Sequence, residues 1–359
     1  MLIINGSFVD KPLTGVQRYA YEICLALRAM GFPFRIVAPS NIQFPQYAVL
    51  NEAIELLPRS RLAKWIRWEQ ADLAGYMRKH RGDILWNPSN LALFGSCRQF
   101  TTVHDLAVYQ NAAWFNWKFA ALYKLYTPHT LRASERVLTV SETIKGEITS
   151  RFGIPPGKIS ITYDGWRPSE APKTATPPEK YVMILGSLDP RKNLSNALLA
   201  WRGLSADLRS RVKLYVVGGA NWRLAHRAEH ADTGDDDSIR FLGRVSDAEL
   251  EGLLDGCLAN LYLSKYEGFG LPVLEALVRN KPCLVSDVPV FRELFDAGCA
   301  FVDPENVAEI TRSLERLIER SLKGTPDGSF AEGYILKYDW TAAARIVADM
   351  YEELSRKPR

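Results

Sequence analysis

Cysteine is scarce and scattered: five in 359 residues, at positions 24, 97, 257, 283 and 299. No two stand in a C-x-x-C spacing, which excludes a thiol redox motif and leaves a cysteine zinc site unsupported. An odd number suits reduced, buried thiols acting as small hydrophobes. Long apolar runs are also missing. Cys257-Leu258-Ala259 is already broken by Asn260, and nothing approaches the roughly 20 apolar residues of a spanning helix. The opening Met1-Leu2-Ile3-Ile4-Asn5 has neither the charged start nor the apolar core of a signal peptide. The expectation is a soluble, cytoplasmic protein, with a peripheral seat at the inner face of a membrane left open. No G-x-G-x-x-G follows the first apolar segment, which disfavours a dinucleotide dehydrogenase. No basic run is interleaved with aromatics in a recognised module, so nucleic acid is not an expected partner.

What is there describes a folded chain. Hydrophobic residues make up 47% and charged residues 24%, a balance no disordered chain has. One domain seldom exceeds about 250 residues, so two are expected. Net charge is +4, unevenly spread: residues 1–165 hold 19 Lys+Arg against 12 Asp+Glu, and the remainder 26 against 29. A basic first half suits an anionic partner, either a phosphate-bearing substrate or an anionic membrane surface.

Apolar patterning alternates between strand and helix. Strands are expected at 2–5, 34–38, 83–86, 100–103 and 137–140, with helices at 14–30, 60–80, 114–133 and 141–151. Residues 166–178 carry four prolines and no periodicity, as a linker does. The pattern then restarts, with strands at 181–185, 212–217, 239–242, 258–263 and 283–285. Its helices begin at 193 and span 247–254, 271–279, 308–322 and 340–354. This is an α/β chain: two Rossmann-like, doubly wound parallel-sheet domains facing across a cleft. The boundaries are 1–165, a linker 166–180, a second domain 181–335, and a final helix 336–359. Ligands in such sheets bind at the C-terminal ends of strands.

The densest motif is Tyr266-Glu267-Gly268-Phe269-Gly270-Leu271-Pro272-Val273-Leu274-Glu275, between a strand and a helix. Its glycines free the backbone to approach a ligand, and the helix start offers amides to an anion. Glu267 stands at the rim and Glu275 one turn inside. A plain strand–turn–helix with solvated glutamates fits the same letters. The second motif, Gly186-Ser187-Leu188-Asp189-Pro190-Arg191-Lys192-Asn193, brings two cations to a helix start. That conflicts with the helix dipole unless an anion lies between them. Solvated surface cations are the alternative. Asp235-Asp236-Asp237 contains an Asp-x-Asp, but within a polar loop expected to be solvated.

His104, beside Asp105 at a strand end, suits either an oriented imidazole or a loop cap. The other histidines show no pairing. Residues 59–81 carry seven Lys or Arg with Trp65 and Trp68. They suit a helix lying on anionic lipid or one packed inward. Trp114, Phe115, Trp117 and Phe119 suit core, or a wall for a sugar or lipid acceptor.

The two motifs resemble the signatures of retaining glycosyltransferases of family 4, in which seven residues separate the two glutamates. So do Phe241-Leu242-Gly243-Arg244-Val245-Ser246-Asp247 and the segment from Lys281-Pro282 to Arg292-Glu293. Thr14-Gly15-Val16-Gln17-Arg18-Tyr19 resembles the family's first glycine loop, with Gln17 where a second glycine is common. Thr102-Val103-His104-Asp105-Leu106, Val140-Ser141-Glu142 and Asp339-Trp340 match further segments.

The resemblance implies the GT-B architecture and a nucleotide-sugar donor bound by the second domain. Ser187 belongs to the implied donor site. Arg191 and Lys192 would hold the diphosphate, Glu275 the ribose, and backbone groups near Arg244 and Val245 the base. Glu267 and the amides of the 268–271 turn (Gly268, Phe269, Gly270, Leu271) would hold the transferred sugar. Gly15 would let the first domain approach the phosphates, and His104 would face the sugar. No cofactor or metal is expected, because two cations can stabilise the leaving diphosphate. GDP-mannose is the first choice of donor, with UDP- and dTDP-sugars open. The acceptor is expected to be a saccharide or lipid-linked saccharide of a bacterial surface polysaccharide. A nucleotide-sugar epimerase and a non-catalytic sugar-nucleotide-binding scaffold are the rivals.

Overall fold

The computed structural model describes residues 1–39, 45–59, 68–95, 97–168, 176–186, 189–219, 236–324 and 331–357. The chain folds as two units. One comprises Met1–Gly165 with Tyr338–Arg359, the other Trp166–Lys337.

The first unit holds seven parallel strands in the order β3-β2-β1-β4-β5-β6-β7. They are β1 (Leu2–Asn5), β2 (Phe34–Ala38), β3 (Ile54–Leu56), β4 (Ile84–Asn87), β5 (Gln99–Val103), β6 (Arg136–Thr139) and β7 (Ile159–Ile161). Ile4 lies beside Ile36 on one side and Trp86 on the other. β1, β4 and β5 are buried along their whole length, as strands are when helices cover both faces. β3 and β7 went unread in the sequence because three residues cannot display a period.

Helix Gly15–Ala29 buries Tyr19, Ala20, Ile23 and Leu27 at the spacing the sequence shows. Helix Trp340–Arg356 covers it. The Trp340 ring stands edge-on to Tyr19 at 6.1 Å, and Phe32 meets Tyr351 at 5.7 Å.

Two elements differ from expectation. The single helix over 60–80 is instead a wide π-helical turn, Trp68–Leu73, leading into Ala74–Lys79, while 60–67 lie outside the described residues. Trp68 is 1% exposed, donates to the Leu57 carbonyl at 2.8 Å and joins Leu73, Tyr76 and Met77 against Ile3 and Leu85. This half of the segment packs inward. The helix expected from 114 begins at Trp117, because the Asn116 side chain caps it by accepting from the Lys118 amide at 3.0 Å. Inside that helix Pro128 has no N–H to give the Lys124 carbonyl, and the Tyr109 hydroxyl supplies the donor at 2.8 Å.

The second unit holds six parallel strands in the order β10-β9-β8-β11-β12-β13. They are β8 (Tyr181–Leu185), β9 (Lys213–Val217), β10 (Ile239–Gly243), β11 (Ala259–Tyr262), β12 (Cys283–Ser286) and β13 (Cys299–Val302). Helices Leu194–Arg202 and Val307–Leu322 seal one core, with Trp201, Ile310, Leu314 and Ile318 against Val182, Leu214 and Leu261. β13 and the short helices Ala206–Arg211 and Pro289–Leu294 are additions to the sequence reading. Of the proline-rich stretch, Trp166 lies 5.8 Å from the Arg279 guanidinium, Thr176 lies against Gly256, and 169–175 are outside the described residues. All five thiols are free. Among the described residues no helix is long and apolar enough to cross a membrane.

Candidate active site

In a doubly wound sheet the strand order reverses at one place, where the loops leaving two adjacent strands part and open a crevice. In the second unit that place lies between β8 and β11, and both sequence motifs leave from there. Three strand ends are drawn together beside it. The Gly186 amide donates to Val217 O at 3.0 Å, and Gly218 donates to Gly243 O at 2.7 Å. Gly218 has φ +121°, and a Cβ there would lie 1.9 Å from Gly186 O, so no side chain fits.

After β8 the chain makes a 3₁₀ turn, Pro190–Lys192, which Asp189 caps by accepting from the Arg191 amide at 2.9 Å. Asn193 then takes a left-handed conformation, φ +56°, and its side chain donates to Pro304 O at 2.8 Å. The true helix starts only at Leu194. Arg191 and Lys192 therefore turn away from that helix and towards the loop after β11. The two loops are tied directly, Lys265 N to Arg191 O at 2.8 Å.

There the charges meet. Lys192 Nζ donates to Glu267 Oε1 at 2.5 Å and to the Tyr262 hydroxyl at 2.6 Å. Tyr262 in turn donates to Glu267 Oε1 at 3.0 Å. Arg191 stands 3.6 Å from Glu267 Oε2, and its Nε lies 3.3 Å from Asp189 Oδ2. Glu267 is 8% exposed. Burial opposes its charge, but Lys192 and Arg191 outweigh burial and hold its carboxyl down to about 2. Burial likewise opposes the Lys192 ammonium, and Glu267 overrides it, so Lys192 titrates above its ordinary range. The Tyr262 hydroxyl is pushed up to about 12 by burial first and by Glu267 second. The conflict between two cations and a helix start is thus met here by two carboxylates of the protein itself.

The turn after Glu267 is held from beneath by rings. Phe269 is edge-on to Phe295 at 5.7 Å, and Tyr262 lies 5.9 Å from Phe291. Gly270 has φ +111°, and a Cβ on it would come 2.7 Å from the Phe291 ring. Helix Leu271–Leu277 begins there. Val273 and Leu274 are its first donors, both to Gly270 O at 2.9 and 3.3 Å, so the amides of Gly270 and Leu271 precede its ladder. Glu275 lies half-buried within this helix. Arg244 and Val245 follow β10, between Gly243 (φ +69°) and Ser246, which caps the next helix in a capping box with Glu249. They share the C-terminal edge of the sheet with the charged cluster, though no bond joins them to it among the described residues. Ser187 lies outside the described residues.

In the first unit His104 follows β5 and is buried. Its Nε2 donates to Pro88 O at 2.7 Å, its amide donates to Asn90 Oδ1 at 2.7 Å, and its ring stands perpendicular to Tyr19 at 4.7 Å. Burial lowers its pKa against the Pro88 bond and Asp105, so the ring is neutral with Nδ1 as the acceptor nitrogen. The orienting partner is a carbonyl rather than Asp105, which caps Ala107 instead at 3.0 Å. Gly15 opens helix Gly15–Ala29, and a Cβ there would meet nothing within 4 Å among the described residues.

Two further corrections concern charge. Asp236 is half-buried rather than free in water: it accepts from Ser238 and Arg209 at 2.6 and 3.1 Å and closes the loop before β10, while Asp237 is exposed as expected and Asp235 is outside the described residues. His80 is not alone, stacking on Tyr76 at 4.1 Å with Asp83 at 3.7 Å. Among the described residues no cluster of His, Cys, Asp or Glu could hold a metal ion. Tyr262 escaped the sequence reading, since it lies inside a strand and reads as core. Its only signal was its place one residue before the strand's expected end at Leu263.

The description "Glycosyltransferase Family 4" matches residues 13–170, and "Glycosyl transferases group 1" matches 167–325. The chain is 25% identical over 98% of its length, and 99% of the relative's, to the O-antigen chain mannosyltransferase RfbU of Salmonella typhimurium. It is 29% identical to O-antigen chain mannosyltransferase B of Escherichia coli, over 86% of this chain and 88% of that one. Among solved structures, WaaG, a glycosyltransferase involved in lipopolysaccharide biosynthesis, superposes with a TM-score of 0.77 at 16% identity, covering 98% of this chain and 99% of that one.

Proposed function

The chain is a glycosyltransferase with the GT-B fold, moving a sugar from a nucleotide donor to an acceptor, and on that premise we propose that it is a retaining mannosyltransferase using GDP-mannose. Its proposed acceptor is a hydroxyl of a saccharide or lipid-linked saccharide in surface-polysaccharide synthesis. The mannose reading is supported by the names of the two relatives that match most of the chain. One observation carries the donor site: Arg191, Lys192 and Glu267 converge where the strand order reverses, beside three glycine-lined strand ends.

The chemistry follows from charge. The anomeric C–O bond breaks, and its electron pair stays on the diphosphate oxygen. Arg191 and Lys192 stabilise that growing charge, as preorganised cations do where water is thinned, and no resident metal is needed for it. When the diphosphate draws them off, Glu267 keeps the Tyr262 hydroxyl and is free to accept from hydroxyls of the sugar. The Gly268–Leu271 amides face the same sugar, Glu275 the ribose, and backbone groups by Arg244 and Val245 the base. Gly15 leaves room for the phosphates, and neutral His104 receives a sugar hydroxyl at Nδ1. The acceptor oxygen bonds to the anomeric carbon on the face the diphosphate leaves, and its proton passes to the leaving phosphate oxygen. A double displacement would need a carboxylate nucleophile on the far face of the sugar, and Glu267 has the role of binding the sugar's hydroxyls instead.

A panel of nucleotide sugars, read by thermal shift and by nucleoside-diphosphate release with and without a saccharide acceptor, tests this. GDP-mannose gives the largest shift, and release depends on acceptor. Replacing Arg191 and Lys192 together by Ala lowers turnover about 100-fold or more. Normal turnover in that variant overturns the site, and conversion of the donor without acceptor favours the epimerase.

A further inference from the structure

Tyr262 is the uncharged member of the cluster that Arg191, Lys192 and Glu267 form. It is the last residue of β11, paired with Val285 of β12, and 3% exposed. Its ring lies 5.9 Å from Phe291, and the Lys192 ammonium stands 5.1 Å from its centroid. The ring is enclosed, so the place of its hydroxyl is set by packing and not by the charges it meets. A phenol has a single proton to give and can also accept. Here it accepts from Lys192 Nζ at 2.6 Å and gives its proton to Glu267 Oε1 at 3.0 Å. Lys192 reaches the same carboxylate oxygen at 2.5 Å, closing a triangle of hydrogen bonds. Burial pushes the hydroxyl up to about 12, and Glu267 adds to it, so the donated proton stays in place near neutral pH.

The triangle has its effect when an anion enters. A diphosphate offers Lys192 and Arg191 more negative charge than one carboxylate does. As they turn to it, Glu267 loses its ion pairs at 2.5 and 3.6 Å. A buried, ionised carboxylate must then keep a hydrogen-bond donor or follow its cations. Tyr262 is a donor whose position does not depend on those cations. Buried Ser264 brings a second hydroxyl near the same carboxylate. We propose that Tyr262 is a positioning residue for sugar transfer. Its hydroxyl anchors Glu267 Oε1 while Lys192 exchanges the carboxylate for phosphate, and this leaves Glu267 Oε2 to accept from a sugar hydroxyl. When the diphosphate departs, the same hydroxyl accepts from Lys192 again and the triangle closes. All of this rests on the reading of Glu267 as the carboxylate that holds the sugar. Tyr262 therefore governs how the sugar half of the donor is held, and the nucleotide half is left to the cations.

Calorimetric titration of the full chain with GDP and with GDP-mannose tests this, or with whichever sugar nucleotide of the panel shifts the wild type most and its own diphosphate. Tyr262→Phe removes the hydroxyl and keeps the ring. It binds GDP as the wild type does and binds GDP-mannose roughly 10- to 100-fold more weakly, the worth of a hydrogen bond to a charged group. Losing that donor raises the carboxyl pKa of Glu267, whose charged neighbours are Lys192 and Arg191. The pH below which GDP-mannose binding fades is therefore higher in Tyr262→Phe, which a purely structural role would not produce. In a Glu267→Gln background Tyr262→Phe adds no further loss, because it acts through Glu267. Arg191→Ala with Lys192→Ala is the control and loses both ligands. Normal binding of both by that control overturns the donor site itself. Loss of both by the control, with wild-type GDP-mannose binding by Tyr262→Phe, leaves the site standing and overturns the role of Tyr262. So do an equal loss of GDP and GDP-mannose in Tyr262→Phe and additive losses with Glu267→Gln.

Discussion

Single residues decide how charge is kept in this molecule, and two carboxyls do so in opposite ways. Glu267 is buried but ionised, because Lys192 and Arg191 compensate it. That stability is present above the ordinary carboxyl range and is lost as pH falls towards about 2. Asp164, just before the boundary of the first unit, is buried with no such partner. Its Oδ1 has no hydrogen bond among the described residues, and burial pushes its carboxyl up to about 8. In the unfolded chain an aspartate ionises near pH 4. Between about pH 4 and 8 the folded unit therefore holds a proton that the unfolded chain has released, and stability falls as pH rises. Asp164→Asn should remove that slope. Thermal melts across this range should show the variant gaining on the wild type towards pH 8 and matching it near pH 4. Each kcal/mol recovered is worth about 2–4 °C in a unit this size. A pH-independent difference would assign Asp164 some other role.

At the scale of elements, the turn between β11 and helix Leu271–Leu277 is fixed by backbone geometry. Gly270 supplies a φ that side-chain-bearing residues rarely adopt, and it does so against the Phe291 ring. Gly270→Ala sets backbone strain and steric overlap together, costing about 2–4 kcal/mol. It also lifts the turn that carries Glu267. Melting temperature and transfer should fall together, and transfer should fall further than the melting shift explains. A variant with wild-type turnover would show that the turn's position does not matter to the reaction. Helix Trp117–Ala133 makes the complementary point. Its proline is accommodated by a tyrosine hydroxyl borrowed from the preceding short helix.

At the scale of the whole molecule, the chain leaves the first unit at Gly165 and re-enters it at Tyr338. Residues 166–337 are contiguous and have their own sheet and core. Expressed alone, they should fold, melt in one transition and retain a thermal shift with GDP. Residues 1–165 alone should not, because helix Trp340–Arg356 buries Trp340, Ala343, Ala344, Val347 and Leu354 within that unit. Supplying 338–359 as a separate peptide should restore a cooperative melt, followed by circular dichroism. A soluble, cooperatively folded 1–165 would contradict this.

Sequence by itself determined the alternation of strand and helix, the two-domain division and the chemical types that meet in the charged cluster of the second unit. Those are carried by local apolar period, by proline and glycine punctuation, and by residues within a few positions of one another. It could place Arg191, Lys192 and Glu267 in loops, but not against each other. Glu267 is 75 residues from Lys192 along the chain, and only the parallel pairing of β8 with β11 closes that distance. For the same reason Tyr262 was invisible, the carbonyl partner of His104 could not be named, and the Trp68 helix stayed undecided. Which face of an apolar, basic helix meets the core is likewise a property of what packs beside it. Tertiary structure alone turned Trp68 inward and left Trp117 in water.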